Sequence, residues 1–239
     1  MIKRISFGSR RSNVTADEFD ASWRAAAVAG ARAPADARPA RIAVCRVLPD
    51  LGVGPPHHDG IAVAWFPDPR SLTRFESWLR SPAAHAAHAG AASAGEPGET
   101  SVVVADEIVV RGEEWLNARW RDGGDRFEHM ALARRAHGLT PAEFSQRWRD
   151  HAGTVRGADG AALVIPDAAR GCAYVQNHPV PGAEDWPYDA VNQVYFDDLA
   201  GLQTRIEWFR DNVPAGSQAD LVGASWFVAA TEELVFSAP

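Results

Sequence analysis

The sequence predicts an α+β fold of two tandem β-α-β-β-α-β repeats in one chain, and two observations carry that expectation. The first is an internal repeat. Thr15-Ala-Asp-Glu-Phe-Asp-Ala-Ser-Trp23-Arg24 matches Thr140-Pro-Ala-Glu-Phe-Ser-Gln-Arg-Trp148-Arg149, 125 residues on (15 and 140). His58-Asp-Gly-Ile-Ala-Val-Ala-Trp-Phe66 matches Tyr188-Asp-Ala-Val-Asn-Gln-Val-Tyr-Phe196, 130 residues on (58 and 188). Glu107-Ile-Val-Val110 resembles Glu233-Leu-Val-Phe236, and Pro49 and Pro179 end equivalent strands. The second observation is that each half alternates strand and helix periodicity in the same order.

In the first repeat Ile2 to Gly8 alternates as a strand. Thr15 caps a helix, with Glu18 completing a capping box, and Phe19 and Trp23 share its apolar face. Arg41 to Leu48 and Ile61 to Phe66 are the middle strands. Ser71 is expected to cap a second helix carrying Phe75 with Trp78 or Leu79, and Val102 to Val110 is the last strand. The second repeat has strands near Phe127–Arg134, Gly171–His178, Val191–Phe196 and Trp226–Phe236, with helices over Pro141–His151 and about Leu199–Asp211. The repeats run 1–112 and 127–239. The linker 113–126 holds Trp115 and Trp120, which should pack somewhere. This order is the ferredoxin-like unit. Such a sheet has helices on one face and a bare second face, so two copies can bury their bare faces together as a pseudo-dimeric barrel around a lumen.

Bulk properties narrow the function. With 239 residues, 46% of them hydrophobic and 23% charged, the chain can bury a core of ordinary soluble type. A formal charge of −7 argues against a nucleic-acid partner. No apolar run of about 18 residues predicts a membrane span, and the start of the chain lacks an apolar leader core. Cys45 and Cys172 make no disulfide framework, which fits a reducing cytosol. A cytoplasmic protein, monomeric or a homodimer of pseudo-dimers, is expected.

Alternation also assigns faces. Cys172, Tyr174, Gln176 and His178 share one side of a strand, and a face this polar is expensive to bury without partners, so it is expected to wall the lumen. Ile5, Phe7, Met130, Leu132, Phe66 and Phe196 are expected under the helices. That sends Arg4, Ser6, His129, Ala131, Val44, Arg46, Leu48, Ile61, Val63, Trp65, Val191, Gln193 and Tyr195 inward, with Phe127 beside them. His178 is the first candidate for proton transfer, His129 for its partner, and Tyr174 and Tyr195 for proton donors. Gln176 and Gln193 set hydrogen bonds, Arg4 and Arg46 suit a carboxylate or enolate, and Trp65 and Phe127 offer stacking surface. Each has a plain structural alternative: strand packing for the tyrosines, surface ion pairs for the arginines, a loop carbonyl for His178. His151 suits a helix C-terminus and is kept as a substrate contact. His57-His58-Asp59 points its side chains apart and His85 with His88 lacks a third ligand, so no metal site is expected. No nucleotide loop, Gly-x-Ser-x-Gly elbow or Cys-x-x-Cys occurs, and no cofactor is expected.

Thr140-Pro-Ala-Glu-Phe to Trp148-Arg-Asp-His151, Tyr174-Val-Gln-Asn-His178-Pro179 and Tyr188-Asp189 to Tyr195-Phe196 resemble the EthD-like family of the dimeric α+β barrel superfamily. The first half departs from that pattern, with Ala26 in place of His151 and Arg46-Val-Leu-Pro49 in place of Gln-Asn-His-Pro. The resemblance implies chemistry inside the barrel. Its members include cyclases, isomerases, decarboxylases, cofactor-free oxygenases and some haem binders. The expectation is a cofactor-independent lyase, isomerase or cyclase of secondary metabolism acting on an aromatic or polyketide-like molecule. The alternatives are a cofactor-free monooxygenase on a phenol, a haem protein, or a non-catalytic binding module.

Overall fold

The computed structural model describes residues 1–51, 58–89, 95, 100–122, 126–150, 154–157, 160–182, 186–214 and 216–238. In chain order the main elements are β1 (Ile2–Gly8), α1 (Ala16–Ala29), β2 (Arg41–Val47), β3 (Gly60–Phe66), α2 (Pro69–Leu79), α3 (Pro82–His88), β4 (Ser101–Arg111) and α4 (Glu113–Asp122). The second half has β5 (Arg126–Arg135), α5 (Pro141–Asp150), β6 (Thr154–Arg156), β7 (Ala162–Val164), α6 (Asp167–Arg170), β8 (Ala173–Pro179), β9 (Ala190–Phe196), α7 (Leu199–Asn212) and β10 (Val222–Ser237). Each half makes one four-stranded antiparallel sheet. The edges join, β2 to β10 and β4 to β8, to close one barrel in the order β1-β3-β2-β10-β5-β9-β8-β4. The predicted fold class is therefore observed. The linker contributes α4, and β6–β7 with α6 add a small hairpin and turn between α5 and β8 that periodicity did not reveal.

Local chemistry explains the helix starts. Thr140 and Glu143 form the same reciprocal cap as Thr15 and Glu18: Thr140 N–H donates to Glu143 Oε2 at 2.8 Å and Glu143 N–H to Thr140 Oγ1 at 3.2 Å. Asp68, not Ser71, caps α2, accepting from Ser71 N–H at 2.9 Å. Ser71 lies three residues inside, where the carboxylate of Asp68 reaches its N–H.

The barrel interior is packed. An eight-stranded barrel is just wide enough for its own side chains, and Ile5, Phe7, Ala43, Cys45, Ile61, Val63, Trp65, Met130, Leu132 and Val191 fill it, all fully buried. This reverses part of the expected facing. β3 and β9 present Ile61, Val63, Trp65, Val191, Gln193 and Tyr195 inward, as expected. β1, β2, β5 and β8 have the opposite facing: Lys3, Ile5 and Phe7 point in with Glu128, Met130 and Leu132, and Arg4, Ser6, His129 and Ala131 point out. Pairing makes this unavoidable, since Ile5 lies opposite Val63 and Met130 opposite Gln193 in the ladders, and directly opposed residues share a face. Tyr174, Gln176 and His178 do share a face, but it is the helix-covered one, and Val44, Arg46 and Leu48 lie outward likewise.

The polar residues inside form a connected network. Lys3 Nζ bridges Glu107 Oε2 and Gln193 Oε1, each at 2.7 Å. Trp65 Nε1 donates to Glu107 at 2.8 Å, Gln193 to Glu128 at 3.1 Å, and Asn177 to Gln193 at 3.1 Å. Helix α4 plugs this end. Arg119 reaches in to pair with Glu232, its guanidinium lying over the Trp120 and Tyr195 rings at 4.1 and 4.6 Å. Gly112 makes the turn into α4: its φ is +81°, and a Cβ there would sit 2.3 Å from the Cys172 carbonyl oxygen. At the far end of β1, Phe7 packs on Tyr188, whose hydroxyl shares a 2.5 Å hydrogen bond with His58 Nε2.

Candidate active site between sheet and helices

The outward face of the second sheet and the helices above it enclose a cavity of about 570 Å³. Its floor is β5, β8 and β9, its walls are α5 and α7, and Val213, Pro214, Gly216 to Gln218, Val222 to Ser225 and Phe227 complete it. Helix α7 starts at Asp198, which caps Gly201 N–H at 2.8 Å. Leu202, Arg205 and Phe209 then fall on one face at spacings of three and four. Leu202 goes to the core, while Arg205 and Phe209 line the cavity.

His129, Arg205 and Tyr174 are among the polar side chains that line the cavity. His129 on β5 lies flat on Phe227, with ring centroids 5.1 Å apart, and Arg205 Nε donates to its Nδ1 at 3.0 Å. Burial, and then the Arg205 charge, hold His129 well below the ordinary histidine value. It is therefore neutral near pH 7, with its proton on Nε2 because Nδ1 accepts. Arg205 also donates Nη1 to the Ala169 carbonyl at 2.9 Å and lies over the Phe209 ring at 4.3 Å. Burial pushes it down to about 10, the direction expected for a cation without a counter-ion. Tyr174 on β8 accepts at its hydroxyl oxygen from Asn192 Nδ2 at 2.9 Å and Gln176 Nε2 at 3.1 Å. Those bonds occupy its lone pairs, so toward further partners Tyr174 is a donor.

A chain of hydrogen bonds fixes this arrangement. Gln176 Nε2 also donates to the Trp148 carbonyl at 3.1 Å, and Trp148 Nε1 donates to Asn192 Oδ1 at 3.0 Å. His178 is buried behind Gln176. One ring nitrogen meets Gln176 Oε1 at 3.1 Å and the other Ser145 Oγ at 3.0 Å. Burial, then Arg149, lower its pKa. His178 does not line the cavity; its contact there is Gln176, which does.

The candidates named from sequence thus divide. His129, Tyr174 and Gln176 come together at the cavity. Gln193, Tyr195 and Trp65 belong to the barrel interior, and Phe127 packs with Phe196 and Leu202 beneath α7. Arg4 lies under the first-half helices, its Nη1 donating to Ser6 at 2.6 Å. Arg46 is a surface residue paired with Asp17 and Asp20 of α1. His151 lies outside the described residues, as does His57. Arg205, Asn192 and Phe209 were missed. The signal for Arg205 was an arginine in the apolar stripe of a helix whose first-half counterpart carries Phe75. Among the described residues, the group able to hold a metal is Cys45, Glu128 and Glu232, whose ligand atoms lie within 4.8 Å of one another inside the barrel. Arg119 already occupies Glu232 there, so a bound cation would compete with its guanidinium.

Residues 136–213 match the model of the EthD domain, within the half of the chain whose motifs resemble that family. No curated protein sequence matches. Among solved structures, an anthrone oxidase-like protein aligns over 100% of this chain and 96% of its own, with a TM-score of 0.54 and 10% identity. A proposed monooxygenase from Lactobacillus acidophilus NCFM aligns over 97% and 93%, at 0.47 and 7%. A variant of chlorite dismutase from Candidatus Nitrospira defluvii aligns over 96% and 90%, at 0.39 and 11%. At 10% identity the likeness to the anthrone oxidase-like protein is one of fold. No helix among the described residues is long and apolar enough to cross a membrane.

Proposed function

With an EthD domain over residues 136–213 as premise, we propose that this cavity is the active site of a cofactor-independent lyase, isomerase or cyclase working by proton transfer on an aromatic or polyketide-like molecule. The observation that supports it is the meeting of a neutral histidine, a donor tyrosine and a buried cation on the wall of a cavity sized for a small ligand. His129 Nδ1 takes a proton from an acidic carbon once Arg205 turns from it to the substrate oxygen. Tyr174 donates its hydroxyl hydrogen to the enolate oxygen that forms, while Gln176 and Asn192 hold the phenol in place. Phe209, Phe227, Val155 and Ile165 give the ring system an apolar bed and exclude water.

The test is exchange of acidic C–H for deuterium in D2O, followed by proton NMR, over a panel of enolisable aromatic ketones. Tyr174→Phe and His129→Ala are each expected to slow exchange by about 100-fold; rates unchanged in both would sink the assignment. Because His129 is held neutral, the acid limb of the pH profile is expected below 6.5, the ordinary histidine value. A second reading draws on the same donor set. A site that stabilises an aromatic oxyanion makes it electron-rich, and oxygen can then attack it without a cofactor. Oxygen uptake by the panel compounds would favour that reading, and binding without exchange or uptake would favour a carrier.

A further inference from the structure

Resting on the cavity as a small-molecule site, we infer that its occupant carries a planar oxyanion (a carboxylate, phenolate or enolate) and that Arg205 is the residue that selects for it. Three observations lead there. The chain is acidic overall, at −7, yet the described lining of the cavity holds Arg111, Arg170 and Arg205 and no aspartate or glutamate. Arg205 is nine-tenths buried and has no carboxylate within ion-pair distance among the described residues; its partners are a neutral imidazole and one carbonyl. Its remaining terminal nitrogen, Nη2, makes no hydrogen bond to a described residue. Removing such a cation from water is unfavourable unless an anion compensates it, and a bound ligand is the natural source.

The other two arginines are already engaged. Arg111 spends both terminal nitrogens on the carbonyls of Gly171 and Arg170, at 2.7 and 2.5 Å. Arg170 pairs with Asp167 at 3.1 Å. They set a positive field at the cavity, while Arg205 is the buried one and keeps its Nη2 edge for a ligand. Phe209 lies against the guanidinium at 4.3 Å, and the open Nη2 suits an oxygen of a planar carboxylate, phenolate or enolate.

The experiment titrates the intact protein, by calorimetry at low salt, with three aromatic probes: naphthoate, dinitrophenolate and the neutral naphthalenemethanol. Naphthoate or dinitrophenolate is expected to bind at least about tenfold more tightly than the alcohol, and the tighter of the two tells carboxylate from phenolate. Arg205→Gln is expected to bring that ratio to about one while leaving the alcohol bound, with Arg205→Lys intermediate. Circular dichroism confirms that each variant is folded, and the wild-type ratio decides the matter even if none is. Equal binding of acid and alcohol by the wild-type protein overturns the inference and spares the cavity reading. No binding of any probe overturns both.

Discussion

The two halves of this chain build the same space between sheet and helices and fill it differently. In the first half the space is about 240 Å³, against about 570 Å³ in the second. Position by position, Phe75 on α2 stands where Arg205 stands on α7, 130 residues on (75 and 205), and Arg4 stands where His129 does, 125 on (4 and 129). Phe75 packs on Phe66 and Trp78 and closes its space with hydrocarbon. Trp23 beds on Gly8 and Gly60, where any Cβ would strike its ring at 2.5 and 3.0 Å. Its counterpart Trp148 meets Ala133 and Ala190 instead. Glycine lets the first tryptophan sink onto the sheet, and alanine holds the second away. One half therefore reads as scaffold and the other as site, by substitutions at a few equivalent positions.

The sharpest way to test this contrast is to import the scaffold residue. Arg205→Phe should abolish the preference for aromatic acids, weakening naphthoate by about 100-fold, while raising stability by about 1–3 kcal/mol because an uncompensated buried cation is replaced by apolar packing. Thermal melts beside titrations separate the two effects, and a destabilised variant that still prefers acids would break the comparison.

A middle-sized effect lies inside the barrel, where the halves differ again. Lys3 of the first half is matched by Glu128 of the second, 125 on (3 and 128). Despite burial, Lys3 holds Glu107 below the ordinary glutamate range. Glu128 lacks such a partner; burial, then Glu232, push it up to about 8. The folded protein thus binds this proton more tightly than the unfolded chain does. The stabilisation is full below about 4.5 and is lost as pH rises through about 8. Melting temperature should fall by several degrees over that window, and Glu128→Gln should flatten the fall. An unchanged slope in the variant would place the proton elsewhere.

The smallest effect is expected at Arg46, the first-half counterpart of Gln176. It is 59% exposed and, among the described residues, pairs with the acids Asp17 and Asp20 of α1. Arg46→Ala should change stability by no more than about 0.5 kcal/mol and leave probe binding intact. A large loss of binding would mean that the first half takes part in the site.

The inner acids show how far pattern alone reaches. Sequence matching aligns Glu107 with Glu233, but the inward pair is Glu107 and Glu232, while Glu233 bonds Arg24 on the surface. A shift of one residue turns a strand's side chains to the other face. Local alternation has no way to sense that shift; the ladder across β10, β5 and β2 does. Arg205 escaped for a related reason, since an arginine in an apolar stripe becomes informative only when its surroundings are seen to lack an acid.

What the chain determined by itself was its repeat, its strands and helices, its helix caps and which residues travel together on one side of a strand. These follow from short-range stereochemistry and from periods of two and 3.6, both legible in order along the chain. Only the closed barrel decided which side is inside. Closing eight strands leaves room for little but packed side chains, so the apolar alternates and the network around Lys3, Glu107, Glu128 and Glu232 took the interior. His129, Tyr174 and Gln176 were left facing the helices, where α7 brings Arg205 to meet them.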